Sequence, residues 1–332
     1  MDPARFFAAS RLAIVAGKGG VGKTTVSAVL ARAAARSGRS ALVVEVEGKS
    51  GLATVFERPE LGYQESVLWE RGDPPGAAAV AARALTADDA LMEYLTDHGL
   101  DRVSRRLVRS GALEIVSTAA PGIEDILLLG KVKQIERASS DRLVVLDTPA
   151  AGHAVSFLRS PRALLDTVSV GPINTQAREA LDLLTDAART RVLLVTIPEE
   201  TPINELIETA YKLEDELGIA LGPVIVNGVD PAPPATTGSI TAAEAAAQAG
   251  VDLSDDELEA LDSTTEFRRA RAELQAEQLG RLERELPLPQ LHLPASPGHE
   301  LGRGELDRLS TALLAGIEAL DERLTEVGVT PP

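Results

Sequence analysis

The densest chemistry in the sequence lies in one run, Gly17-Lys18-Gly19-Gly20-Val21-Gly22-Lys23-Thr24-Thr25. Its glycines lack the Cβ atoms that keep a backbone away from a ligand, so successive N–H groups can turn toward an anion. A helix starting near Lys23 adds the positive end of its dipole. Lys23 is then placed to reach the β and γ phosphates of a nucleotide, and the Thr24 hydroxyl to ligate magnesium. The spacing is that of the phosphate loop, and it predicts ATP and Mg2+ as ligands.

Such a loop needs a strand before it and a helix after it. Leu12 to Ala16 reads as a buried strand and Thr24 to Arg36 as an alanine-rich helix ended by Gly38. Ala41 to Val46 reads as the next strand. Leu143 to Leu146 is a further apolar strand, closed by Asp147. That carboxylate either belongs to the surroundings of the magnesium ion or caps the following turn; beside a phosphate loop the metal role is preferred. A helix over Arg178 to Ala188, a strand over Val192 to Ile197 and a helix over Thr201 to Leu217 follow, with Thr201 as cap and Pro202 at the first helical position. Val224 to Val226 is a strand closed by Asn227 and Gly228, Leu291 to Leu293 a last strand, and Gly304 to Val327 a closing helix.

Continuous apolar strands point to a parallel sheet covered on both faces. The fold class expected is α/β: a P-loop NTPase with a mainly parallel β-sheet flanked by helices and carrying a helical insertion. One domain spans 1–330, with the insertion at about 74–137, a short strand inside it at Leu113 to Ser117, and a flexible or helical segment at about 230–286 that opens with a loop over Pro231 to Ser239.

Composition removes several other classes. The formal net charge of −17 argues against a nucleic-acid surface, and 3% aromatics argue against base stacking. The sequence has no cysteine and four dispersed histidines, so a zinc site is not expected. Met1 to Ser10 has no signal-peptide core, and Leu12 to Ala16 is too short to span a bilayer. A cytoplasmic protein is expected.

Lys18, directly after the first glycine, is the signature of the deviant Walker A class. The run Asp147-Thr148-Pro149-Ala150-Ala151-Gly152-His153, with Phe157, Leu158 and Pro161 behind it, resembles the switch II region of the ArsA/Get3 family of arsenite-pump and tail-anchored-protein-targeting ATPases. Pro121-Gly122-Ile123-Glu124 and Val195-Thr196-Ile197-Pro198-Glu199-Glu200-Thr201 are similar to that family as well. Within it, the switch I run Val-Glu-Val-Glu-Gly resembles the paired ArsA-like ATPases of actinobacteria. The resemblance implies an ATPase working as a homodimer, or as a heterodimer with a related ATPase, with a protein client or membrane partner. It implies that Lys18 reaches phosphates of the neighbouring subunit, that Thr25 supports the α phosphate, and that Asp147 holds a magnesium-bound water. It further implies that Asn227 reads the adenine edge, that Pro294 packs beside the base, and that Gly152 and His153 move with the γ phosphate.

The departures from the family pattern bear on the chemistry. Glu47 stands where the family supplies the aspartate that orients the attacking water, which lengthens the reach of the carboxylate; Glu45 is a lesser substitute. Hydrolysis is therefore expected to be slow or partner-dependent, and a catalytically weak subunit of a heterodimer is the alternative function. The metalloid-binding and zinc-clasp cysteines of the family are missing, and only Met1 and Met92 could contribute to a methionine-rich client groove. The aliphatic run Ile126 to Leu129, continued by Val132 and Ile135, is either packed on the sheet or a partner surface. Lys131 and Lys133 beside it read as a solvated helix face.

Overall fold

A computed structural model describes residues 1–46, 51–97, 122–139, 141–148, 151–230, 240–296 and 301–320. The chain opens with α1 (Pro3–Ala8), β1 (Leu12–Gly17), α2 (Lys23–Arg36), β2 (Ala41–Val46) and α3 (Gly51–Val55). It continues through β3 (Ser66–Trp69), β4 (Val80–Leu85), α4 (Ala87–Asp97), α5 (Ile123–Ala138), β5 (Leu143–Asp147), α6 (Ala151–Thr167) and α7 (Pro172–Thr185). It closes with β6 (Thr190–Thr196), α8 (Glu200–Tyr211), β7 (Val224–Val229), α9 (Ala242–Ala249), α10 (Asp255–Glu285), β8 (Gln290–Pro294) and α11 (Arg303–Ala319).

The strands form one sheet in the order β3-β4-β2-β5-β1-β6-β7-β8. Among the described strands, only β3 runs antiparallel, against β4. Side chains alternate across the sheet. Ala13, Val15, Val43 and Val145 face a core filled by α2 and α11, whereas Leu12, Ile14, Val44 and Leu146 face one filled by α5 to α8 and the end of α10. Helix α2 is buried nearly all round, between sheet and α11, which its alanines permit by allowing close approach. Its Arg32 is fully covered; it donates to Asp307 and to the Asp73 carbonyl and lies over the Trp69 ring.

Several expectations are corrected. Residues 80–85, placed by sequence inside the helical insertion, are strand β4. Alanine favours a helix in Val80-Ala81-Ala82-Arg83-Ala84-Leu85, but here β2 and β3 supply hydrogen-bonding partners on both sides, and tertiary context overrides the propensity. Thr201 does not cap α8. The cap is Glu199, in extended conformation, and Pro202 sits within the first turn, where helix N–H groups have no intrahelical partner anyway. The helix also stops at Tyr211, and Lys212–Glu216 forms a separate π-helical turn. Lys131 and Lys133 are not a solvated face. Lys133 is buried and paired with Glu179 of α7, while Lys131 pairs with Glu93 of α4, because α5 is wedged between those helices. Ile126, Leu128, Leu129, Val132 and Ile135 are buried and Leu127 is half-buried, so the aliphatic run packs mostly in the core. The strand expected at Leu113 to Ser117 and the loop at Pro231 to Ser239 lie outside the described residues. Among the described residues, no helix is long and apolar enough to cross a membrane.

Candidate functional site

Strand β1 delivers the glycine run to the carboxyl edge of the sheet, between β5 and β6. Gly17 passes so close to β6 that a Cβ there would lie 2.2 Å from the Val195 carbonyl oxygen. Gly22, at φ +88°, caps α2 in the left-handed region, and a Cβ there would meet the Asn227 amide at 2.3 Å. Among the described residues, no side chain caps α2. Its first N–H groups therefore remain directed at the loop, the arrangement that suits an anion. Val21 is buried and anchors the loop in the core.

Lys23, 8% exposed, bends back so that Nζ donates to the Lys18 carbonyl at 3.1 Å. Asp147, at the end of β5, is 5% exposed and held by two hydroxyls: Thr24 Oγ1 donates to Oδ2 at 2.7 Å, and Ser27 Oγ donates to Oδ1 at 3.0 Å. The proton that Thr24 gives to Asp147 leaves the hydroxyl lone pairs free to serve as acceptor or ligand. Thr148 fixes the chain beyond Asp147 by donating Oγ1 to the Val15 carbonyl at 2.8 Å. Lys23, Thr24, Asp147 and Thr148, with Gly19, Gly20 and Glu45, line a cleft of about 320 Å3, and Ser27 supports Asp147 from beneath it. Thr25 follows in the first turn of α2, half-buried.

Lys18 points the other way. Its ammonium meets Glu205 of α8 at 2.6 Å, and both side chains are more than a third exposed. The pair sits in a second, larger cleft of about 830 Å3 between α6 and α8. An exposed pair of this kind is worth at most about 1 kcal/mol, so it does not fix Lys18 in place.

Asn227 and Pro294 stand at the carboxyl ends of neighbouring strands. Asn227 Nδ2 donates to the Val21 carbonyl at 3.0 Å, tying β7 to the phosphate loop. Pro294 pairs in register with Val229, and the Ala295 N–H donates to the Val229 carbonyl at 2.8 Å. Gly152 and His153 lie in the first turn of α6, where only the backbone is described. Glu47 lies outside the described residues. The sequence reading missed Ser27, because a serine inside an alanine-rich helix carries no signal of its own. A count of one turn on from Thr24 would have found it, since positions three apart share a helix face.

A model of the anion-transporting ATPase family matches residues 10–170. The chain is 36% identical over 312 residues to the ATPase BagA of Mycobacterium tuberculosis, a match covering 88% of this chain and 89% of that protein. The chain belongs to the ArsA family of ATPases. This ArsA-family chain is also 26% identical over 248 residues to the arsenical pump-driving ATPase of Acidiphilium multivorum, covering 68% of the chain and 41% of that protein. Its match to the ATPase GET3 of Pyricularia oryzae is 26% over 158 residues, covering 46% and 44%. Less than half of each of these last two proteins is matched.

The fit to Mg-ATP rests on the geometry itself. A cradle that a Cβ would fill at Gly22, a covered ammonium at Lys23 and a hydroxyl–carboxylate pair at Thr24 and Asp147 are the donors that a polyphosphate and a hard divalent cation require.

Proposed function

We propose that this chain binds Mg-ATP at Gly17 to Thr25, hydrolyses it, and couples the state of the nucleotide to the rearrangement of a dimer. The observation that carries this reading is the clamp of Thr24 and Ser27 on Asp147 beside the glycine cradle. Thr24 and Asp147 are the residues that would hold magnesium, which supplies charge neutralisation on the phosphates. Loop N–H groups and Lys23 bind and orient the triphosphate; phosphoryl transfer is catalysed mainly by such positioning and electrostatics. Glu47 orients the attacking water, and its extra methylene relative to aspartate makes the step slow or partner-dependent. Asn227 and the Pro294 segment flank the base. Lys18 of one subunit leaves Glu205 and neutralises phosphate charge in the other, and the segment of Gly152 and His153 follows the loss of the γ phosphate. The dimer acts on a protein client or membrane partner. The glutamate at position 47 also favours a second reading, a weakly catalytic subunit completed by a related ATPase.

Steady-state Mg-ATP hydrolysis, followed against protein concentration for the wild type and Lys18→Ala, tests this function. A specific rate that rises with concentration and collapses in the variant is the expected result. ATP binding with no hydrolysis at any concentration would move the function to the heterodimeric reading.

A further inference from the structure

Helix α9 and the first part of α10 form a helical hairpin that the nucleotide site does not use. None of residues 241–274 is buried, although Gln275 and Leu282, further along α10, are. The root of the hairpin is fixed at the end of β7, where Gln275 Oε1 accepts from the Asp230 N–H at 2.9 Å and Arg271 pairs with Asp230 at 2.6 Å. Residues 255–274 extend past that root for about 30 Å, at the rise of an α-helix. Most helices in proteins are held by burying an apolar face. This pair is held by its ends instead. Thr241 with Glu244 and Ser254 with Glu257 form capping boxes, Gly250 closes α9 at φ +67°, and the Ala242 N–H donates to Asp262 Oδ1 at 2.7 Å, tying α9 to α10. The apolar side chains are left open. Ile240, Val251, Leu261, Phe267 and Leu274 are five of the nine large apolar side chains exposed among the described residues. Phe267 and Leu274, at 66% and 62% exposure, are two helical turns apart and share one face of α10.

We infer that this hairpin is a docking surface for a basic amphipathic helix of a partner protein. Charge selects the occupant. From Thr241 to Asp262 the sequence has seven acidic residues and no lysine or arginine. Arg268 and Arg269 stand nearer the root, where Arg271 is paired with Asp230. The acidic tip repels the phosphates of nucleic acid and of anionic lipid, and a second copy of this chain, at a net charge of −17, meets it with like charge. A helix that carries lysines or arginines beside a leucine stripe answers both features. Its stripe covers Phe267 and Leu274, and its cations face the acidic tip. Caps already hold α9 and α10 as helices, so docking does not have to order them. The inference is independent of the nucleotide reading, since neither helix lines the cleft at Thr24 and Asp147.

The probe is a dye-labelled model helix of leucine and lysine, with its leucines on one face, and its binding to the full chain is followed by fluorescence anisotropy. A leucine–glutamate helix of the same pattern is the control. Two double variants are compared with the wild type: Phe267→Ala with Leu274→Ala, which removes the apolar face, and Glu259→Lys with Glu266→Lys, which reverses charge. All four side chains are exposed, so both variants should keep the wild-type circular dichroism. The expected result is that the wild type binds the lysine helix and not the glutamate helix, and that each double variant weakens binding by at least roughly tenfold, the scale of losing buried contacts at the centre of an interface. Equal binding of the lysine helix by the wild type and the Phe267/Leu274 variant would overturn the proposal, because the attraction would then be general to an acidic protein. Binding of neither model helix would overturn it as well. A wild-type dimer in light scattering that the Phe267/Leu274 variant dissolves would give the face to a second copy and overturn the basic partner.

Discussion

At the amino edge of the sheet, Glu136 of α5 has no exposed surface and is gripped by Arg11 at 2.9 Å and Arg189 at 2.5 Å, the residues that precede β1 and β6. At the carboxyl edge, Asp147 is as well covered but is held by the hydroxyls of Thr24 and Ser27, with Glu45 beside it. Each cluster is built on a buried carboxylate. The first joins opposite charges and locks a helix to two strands; the hydrogen bond to Glu136 raises the Arg189 pKa above the usual arginine value. The second fixes the direction of a carboxylate with hydroxyl donors at the mouth of an open cleft. A structural ion pair and a ligand site can thus be told apart by what holds the carboxylate rather than by burial.

Substitutions at the two edges should separate activity from stability. Lys23→Ala is expected to lower Mg-ATP hydrolysis by at least about 100-fold, the scale of losing one preorganised group that meets developing charge. Its thermal midpoint should change less than that of Glu136→Ala, because Lys23 lines an open cleft whereas Glu136 sits inside a closed ion cluster. Glu136→Ala should do the reverse. Breaking a buried ion cluster costs about 3 kcal/mol, read as a shift of the urea midpoint, with Mg-ATP affinity unchanged. A loss of affinity at Glu136 would dissolve the distinction between the edges.

The carboxyl edge was the more legible of the two. Glycine spacing and continuous apolar runs placed the phosphate loop, β1, β2 and β5, because a backbone that must wrap an anion admits few residue types. Asp147 followed from its position after an apolar strand. Ser27 and the register of Glu45 against Asp147 were not legible, since they depend on which strands become neighbours. Nor was the amino edge, where Arg11, Glu136 and Arg189 come from three distant segments. Strand β4 was hidden by its alanines, and Lys133 by the expectation that lysine stays in water; only the packing of α7 against α5 brings Glu179 to it.

Smaller effects sharpen the comparison. Ser27→Ala removes a hydroxyl donor to Asp147 and should weaken the apparent affinity for Mg2+ by roughly tenfold, seen as a higher Mg2+ concentration at half-maximal rate. Glu179→Gln should cost only a few tenths of a kcal/mol, because Glu179 is partly exposed. Its sign is fixed. The hydrogen bond from Lys133 lowers the Glu179 pKa, so its contribution is complete above the ordinary glutamate value and is lost as pH falls through the depressed folded one. The thermal midpoints of wild type and Glu179→Gln should differ at neutral pH and converge in acid.

The most direct test of the account is single-turnover release of labelled phosphate from γ-labelled ATP, with protein in excess and Mg2+ present, by the wild type and Asp147→Asn. The account predicts release by the wild type and its near-complete loss in Asp147→Asn, with the variant still folded. Release at the same rate by both proteins would contradict it, because the cleft at Asp147 would then not be where ATP is hydrolysed.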